Sequence, residues 1–250
     1  MKLDHIVHYV QKPAGQAGAE FQLLGFHTVP GGRHEDWGTA NSLSYFGLEY
    51  IELLSIENQE KAAASDNPLI SMCASLKEQG LCQVGIRTEE MEELADLLLH
   101  QGLTVSGPFP GSRKREDGSV ISWRMLFAGH PESDCSLPFF IEWGTPDQVR
   151  KEDLIRTGAL APHPNGIKAI KEVLFFTENP LELASRWSEW FGLEKQSAES
   201  GQAKLRLGDQ NLLFQQREKH VQPGMYAVSF SERKTKELRE KKWLGGTYFV

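Results

Sequence analysis

The chain has 250 residues, of which 40% are hydrophobic, and a formal net charge of -7 at pH 7. This length allows one large domain or two small ones, and the acidic balance argues against a nucleic-acid-binding surface. No apolar run approaches the roughly 20 residues of a membrane-spanning helix, and three cysteines without a CxxC motif fit a cytoplasmic protein.

The first third of the chain predicts the element order β-α-β-β-β. A strand at residues 3–10 precedes a helix at 13–24, which ends at Gly25. Three strands are then predicted at residues 26–30, 39–46 and 48–56, the last two joined tightly at Gly47. The unit therefore covers about residues 1–60.

The same order returns after a linker at about residues 57–80. A strand at 81–87 is followed by a helix at 89–100, for which Thr88 is the predicted N-cap. The remaining strands are predicted at 103–105, within a hairpin at 112–127 that turns at Asp117-Gly118, and at 139–143. Residues 1–150 thus predict one domain of two similar units, at about 1–60 and 78–150.

The last third begins after a turn-rich stretch at residues 162–166. A helix at 180–191 carries Leu183, Trp187 and Trp190 on one stripe and ends at Gly192. Strands are predicted around it at 171–177, 205–207 and 212–215, and then a strand at 225–230, a helix at 232–240 and a strand at 246–250. Residues 165–250 therefore predict a shortened β-α-β-β-β unit and a partial β-α-β unit, and the fold class is α+β.

Three segments carry a resemblance to a known family: LDHIVHYV at residues 3–10, the segment PGGRHEDWGTANSLSYFGLEYIELLSIE at 30–57, and LPFFIEW at 137–143. They resemble the vicinal oxygen chelate superfamily of glyoxalases, bleomycin-resistance proteins and extradiol dioxygenases, and within it the glyoxalase-like domain family. The resemblance implies paired βαβββ units that form a cupped mixed sheet with helices outside. It does not define an activity, since this fold hosts lyases, isomerases, dioxygenases and metal-free binding proteins.

Strand alternation predicts a polar cluster on the concave side of the cup. The side chains of His5, Glu52, Gln83 and Glu142 are expected to point there. The resemblance implies that these four bind a divalent metal, Zn, Ni, Mn or Fe, and that Glu52 or Glu142 also acts as a base. In the alternative interpretation, a histidine and a glutamate form a buried hydrogen-bonded pair without metal.

Further side chains are candidates for contact with a ligand: Arg33, His34, Trp37, Asn41 and Arg87. A cation can pair with a ligand carboxylate or phosphate, and an indole can stack on a ligand ring. The alternative is that Trp37 fills the core and Arg33 pairs with a neighbouring carboxylate. The basic run at residues 113–115 is expected to be solvated, or else to act as a lid across the cup.

Three hypotheses for function follow. The first is a protein that binds a small oxygen-rich or anionic molecule in the cup, as a metal-dependent lyase or isomerase. The second is a metal-free protein that binds or sequesters a small molecule, as drug-resistance members do. The third gives the C-terminal units an interaction role, with a homodimer formed through an exposed sheet edge.

Overall fold

The computed structural model describes residues 1–114, 118–231 and 239–250. Within these ranges the chain forms two sheets and six helices. The helices are α1 Ala14–Leu23, α2 Gln59–Ala63, α3 Pro68–Ser75, α4 Met91–His100, α5 Asp147–Arg156 and α6 Pro180–Phe191. None of the helices in the described ranges has the length and apolar character needed to cross a membrane.

The first sheet has eight strands: β1 Lys2–Val10, β2 Val29–His34, β3 Thr39–Tyr45, β4 Tyr50–Ile56, β5 Gly80–Arg87, β6 Thr104–Lys114, β7 Val120–Gly129 and β8 Phe139–Trp143. Their order across the sheet is β2-β3-β4-β1-β5-β8-β7-β6. β1 pairs in parallel with β4, β5 pairs in parallel with β8, and β1 and β5 join the two halves as antiparallel neighbours. The predicted α+β fold with paired β-α-β-β-β units is confirmed.

The second sheet has seven strands: β9 Ile170–Thr177, β10 Glu194–Gln196, β11 Gln202–Leu207, β12 Gln210–Gln216, β13 Gly224–Phe230, β14 Glu240–Trp243 and β15 Gly246–Phe249. Their order is β10-β11-β12-β9-β13-β15-β14. The central strands repeat the pairing of the first sheet, because β9 is parallel to β12 and antiparallel to β13. The helix predicted at 232–240 falls mainly on residues outside the described ranges, and Glu240 begins β14. Asp117 of the predicted hairpin turn also lies outside them.

One large core joins the outer faces of the two sheets. Leu3 and Ile6 of β1, Val173 of β9 and Trp187 of α6 are fully buried in it or nearly so. Helices α1, α4 and α6 pack into this core. The sequence explains α6 well: the Asn179 side chain accepts a hydrogen bond from the Glu182 backbone N–H, and Gly192 has a left-handed φ of 63° after the last turn.

The segment predicted as a linker forms α2 and α3, which cover the concave face of the first sheet. The Asn67 side chain caps α3 by accepting from the Leu69 backbone N–H. Leu69 and Ile70 are buried in a second core, together with Val7 of β1 and Ile141 of β8. The helices therefore do not all lie outside the cup, because α2 and α3 form a lid over its concave face.

Candidate functional site

The centre of the candidate site is an irregular pairing between β1 and β5. Leu3 pairs with Ile86 and His5 with Gly85, so Asp4 has no partner between them. Such a β-bulge shifts the alternation of side chains along a strand. As a result, Asp4 and His5 both lie on the cup side, whereas Leu3 and Ile6 lie in the outer core.

Asp4 is a completely buried carboxylate with several charged or hydrogen-bonding partners. Its Oδ1 lies 2.7 Å from Nδ1 of His5, and its Oδ2 accepts hydrogen bonds from Arg87 at 3.1 Å and from the Trp143 indole at 2.9 Å. Burial alone would raise the pKa of Asp4, but the hydrogen bond and charge of His5 and the charges of Arg150 and Arg87 together lower it. Asp4 is therefore ionised and fixes the His5 ring with its Nδ1 N–H toward the carboxylate.

The other nitrogen of His5 faces Glu52. His5 Nε2 lies 3.6 Å from Glu52 Oε2, and the Asn41 amide donates to Glu52 Oε1 at 2.5 Å. The imidazole stacks on Tyr50, with a ring-centroid distance of 4.6 Å. A Cβ at Gly85 would lie 2.9 Å from the His5 ring, so this glycine leaves the space that the ring occupies. The structure thus brings together three of the predicted site residues: His5, Glu52 and Asn41.

The second half of the sheet does not supply matching donors. A bulge at Cys82 places Gln83 in the position that corresponds to His5, and its Oε1 accepts from the backbone N–H of Val84. In the first unit, Glu52 pairs with Val7, which lies two residues after His5. In the second unit, the equivalent residue two after Gln83 is Gly85, and it pairs with Phe139. Phe139, fully buried and apolar, therefore takes the place in the second unit that was predicted for Glu142.

Glu142 lies on the other face of β8. Ile141 and Trp143 line the cup, and Phe140 lies in the outer core. Glu142 accepts hydrogen bonds from the backbone N–H of Met91 at 3.4 Å and from Arg124 Nε at 2.9 Å. The prediction that Glu142 points into the concave side is wrong, because the residue of β8 that corresponds to Glu52 is Phe139, three residues earlier.

The donor set does not complete a metal site. Within residues 1–114, 118–231 and 239–250, no group of three His, Cys, Asp or Glu side chains is arranged to hold a metal ion. His5 and Glu52 are close together, but Gln83 bonds the backbone and Phe139 has no donor atom. The four predicted ligands do not meet.

The cup encloses a small inner cavity next to His5 and Glu52, with a volume of about 40 Å³. His34, Trp37, Asn41, Tyr50, Arg113, Trp123 and Trp143 form its mainly aromatic wall, and Leu69 and Ile70 of the lid close it. A larger outer cavity of about 530 Å³ shares His34, Trp37 and Trp123 with it. Since a buried water needs about 10–15 Å³ by this measure, the inner cavity has room for roughly three waters.

His34 is a neutral histidine between the two cavities. Its Nδ1 lies 3.0 Å from the Thr39 hydroxyl. Burial lowers the pKa of His34 to about 4; the charge of Glu52 raises it in part, and that of Arg113 lowers it further. His34 and Trp37 line both cavities, and Trp37 also packs against the second core.

The two arginines predicted to contact a ligand anion pair with carboxylates of the protein instead, and another arginine, which was not predicted as a ligand contact, lines the cavity. Arg33 has a 73% exposed side chain and pairs with Glu57 at 3.1 Å, while Arg87 pairs with Asp4 and Asp147. The cation that lines the inner cavity in the described part of the chain is Arg113, near the turn end of the hairpin formed by β6 and β7. The sequence signal was the basic run at 113–115, which was expected to be solvated or else to act as a lid across the cup.

Helix α5, which the sequence analysis did not predict, closes the side of the cup near Asp4. The Arg150 guanidinium lies 3.9 Å from the centre of the Trp143 ring and 3.8 Å from the Asp4 carboxylate. Leu154 packs with Tyr45 and Tyr50. The ionised Asp4 is therefore enclosed on every described side by hydrogen-bond donors, cations and aromatic rings.

Comparisons with known proteins agree with this architecture. Residues 3–191 match the family model described as a glyoxalase-like domain. A hypothetical protein from Staphylococcus aureus has a similar structure, with a TM-score of 0.84 and 22% identity over 99% of this chain and 97% of that one. No curated protein matches the sequence.

Two solved enzymes share the fold at greater distance. The Mn(II)-bound glyoxalase from Novosphingobium aromaticivorans has a TM-score of 0.52 and 11% identity, over 92% of this chain and 64% of that chain. A mutant of 4-hydroxymandelate synthase from Streptomyces coelicolor has a TM-score of 0.53 and 12% identity, over 92% and 70%. At these identities the similarity concerns the fold alone.

Proposed function

The chain belongs to the glyoxalase-like domain family, and we propose that it binds a small oxygen-bearing molecule in the inner cavity, with His5 and Glu52 as the polar groups that hold it. The observation that carries this proposal is the line of contacts Asp4–His5–Glu52 at the cavity wall. A buried polar line in an aromatic cavity is the arrangement that orients a small ligand.

His5 is the group best placed to exchange a proton with such a ligand. The ionised Asp4 holds the N–H on Nδ1, so that Nε2 can accept a hydrogen bond from a ligand hydroxyl or remove a proton from it. Glu52, held by Asn41, lies beside Nε2 and stabilises the imidazolium formed by that transfer.

The test is a screen of small oxygen-bearing compounds, with the ring signals of 15N-labelled histidine as the readout. Compounds that bind should shift the His5 ring signals, and His5→Gln or Glu52→Gln should weaken their binding. His220→Gln is the matched control, because the side chain of His220 is 79% exposed. Binding that is equal in wild type and His5→Gln would contradict the proposal.

A metal-dependent lyase or isomerase is the second candidate function. The observation that favours it is the Asp4–His5 contact, because metal-binding histidines commonly donate their second ring N–H to a carboxylate. Bound Zn, Ni, Mn or Fe would polarise a substrate carbonyl. Of the four predicted ligands, however, only His5 and Glu52 lie together, and the described side chains do not complete a site for the ion. Sub-stoichiometric metal after reloading of chelator-free protein would exclude this candidate.

A further inference from the structure

Building on the proposed function, we propose that the inner cavity selects small carboxylates with a hydrogen-bond donor on the neighbouring carbon. The donor is a hydroxyl or an ammonium group. Arg113 binds the carboxylate, and the oxygens of Glu52 and Asn41 accept from the neighbouring donor.

The first step is the charge of Arg113. Its Nη1 donates to the Gly31 carbonyl at 2.6 Å, and its guanidinium also reaches the Tyr45 hydroxyl. Among the described residues, no carboxylate lies within ion-pair distance of it. A guanidinium has five N–H donors, and two contacts leave donors for a planar anion.

The second step is that the neighbouring arginines are already neutralised. Arg33 pairs with Glu57, and Arg87 pairs with Asp4. Arg150 pairs with Asp147 at 3.4 Å and lies near Asp4. Arg113 is therefore the cation on the cavity wall, in the described part of the chain, whose charge a ligand would balance.

The third step concerns acceptors in the same cavity. The Oδ1 atom of Asn41 is buried and has no hydrogen-bond partner among the described residues, while its amide nitrogen donates to Glu52. A Cβ at Gly31 would lie 1.9 Å from this Oδ1 and 2.9 Å from Nη1 of Arg113. Gly31 thus allows this acceptor to approach Arg113, which has no carboxylate partner among the described residues. A buried acceptor without a partner favours a ligand that brings a donor.

Cavity size limits the ligand at its polar end. A volume of about 40 Å³, room for roughly three waters, admits only the polar end of a ligand. Any longer substituent would extend past Trp37 and Trp123 into the outer cavity, which shares these residues. A two- or three-carbon acid is therefore the minimal probe.

The experiment is calorimetric titration of the whole chain with four probes: L-lactate, L-alanine, propionate and lactamide. Propionate lacks the donor, and lactamide lacks the charge. We expect lactate or alanine to bind about tenfold or more tightly than propionate and lactamide, since a hydrogen bond to a charged group is lost in each. Arg113→Gln should abolish the preference for lactate over lactamide, and Arg33→Gln should leave it unchanged.

Equal binding of lactate and lactamide, or an unchanged preference in folded Arg113→Gln, would overturn the inference. If Arg113→Gln fails to fold by circular dichroism, the four probes on wild type decide alone. Absence of carboxylate binding, while other compounds still shift the His5 signals, overturns the inference and leaves the proposed function standing. If carboxylates bind without moving the His5 signals, Arg113 recognition stands and the role proposed for His5 fails.

Discussion

Oδ1 of Asp4 lies 2.7 Å from Nδ1 of His5, although neighbouring residues of a regular strand point to opposite faces. The bulge in β1 makes this contact, because Asp4 has no partner on β5. The extra residue in β1 thus brings the side chains of two consecutive residues together as a carboxylate–imidazole pair.

Replacing Asp4 with asparagine should strongly destabilise the protein. The change keeps the shape but removes the charge that balances Arg87 and Arg150, and breaking a buried ion pair costs about 3–5 kcal/mol. Urea unfolding of Asp4→Asn measures the loss, with Asp36→Asn, at an exposed aspartate, as the control. Equal stability of the two variants would show that the Asp4 charge is not needed.

Stability should fall as the pH drops from about 6.5 to about 4. His8, His34 and His163 are buried, and burial lowers the pKa of each to about 4 from the ordinary 6.5. In that window the unfolded chain binds more protons than the native protein, so protonation favours unfolding. Each histidine adds up to about 1.4 kcal/mol per pH unit to the slope of the unfolding free energy against pH. Above about pH 6.5 this loss of stability is absent.

Unfolding free energies at pH 7.5, 6 and 5 check this dependence. His34→Gln should reduce the slope, because the glutamine does not titrate. A free energy of unfolding that stays constant from pH 7.5 to 5 would contradict burial of these imidazoles in their neutral form.

Truncating a buried side chain of the lid should destabilise the protein and enlarge the inner cavity. Ile70 is 1% exposed and lines the cavity from α3. Ile70→Ala should cost about 2–4 kcal/mol through lost burial and the space left behind. The control is Leu181→Ala on α6, where the side chain is 68% exposed and the cost should stay within about 0.5 kcal/mol. Hydrogen exchange in α2 and α3 should be faster in Ile70→Ala. An unchanged exchange rate in α3 would show that other contacts hold the lid.

Introducing a histidine at Phe139 should create metal affinity. Phe139 occupies the position that corresponds to Glu52, and its ring centroid lies 5.2 Å from that of His5. Phe139→His adds a third donor to His5 and Glu52 and should raise Zn²⁺ or Mn²⁺ affinity about tenfold or more over wild type. Ile141→His, on the same face of β8 two residues later, is the matched control. Calorimetric titration of the folded variants with Zn²⁺ or Mn²⁺ measures the affinity. Equal affinity of the wild type and Phe139→His would show that His5 and Glu52 already bind the metal without a third donor.

The sequence predicted the strands and the family because their signals are local. Runs rich in Ile, Val, Leu and Tyr mark β1 and β4, and Asn179, Pro180 and Gly192 delimit α6. The lid was missed although Asn67-Pro68 is a helix-start signal, because α3 is short and its apolar residues pack against the cup rather than the outer core.

The site was harder to predict because its geometry depends on register. A bulge leaves no mark in the residue pattern, so Asp4 was not expected beside His5. β8 is apolar on both faces at Phe139, Phe140 and Ile141, and its alternation therefore carries no information about which face meets the cup. Arg113 was missed because its neighbours in sequence are also basic, and burial alone distinguishes it from solvated charge.

The two-fold repeat of strand pairing in the first sheet does not extend to its ionisable groups. The half that contains Asp4 places His5 and Glu52 at the cup, while the corresponding positions of the other half carry Gln83, whose side chain bonds the backbone, and the apolar Phe139. The two units therefore match in hydrogen-bonded register but differ in charge, so the cup is asymmetric: titratable side chains stand on one half of the sheet, and uncharged ones occupy the equivalent positions of the other.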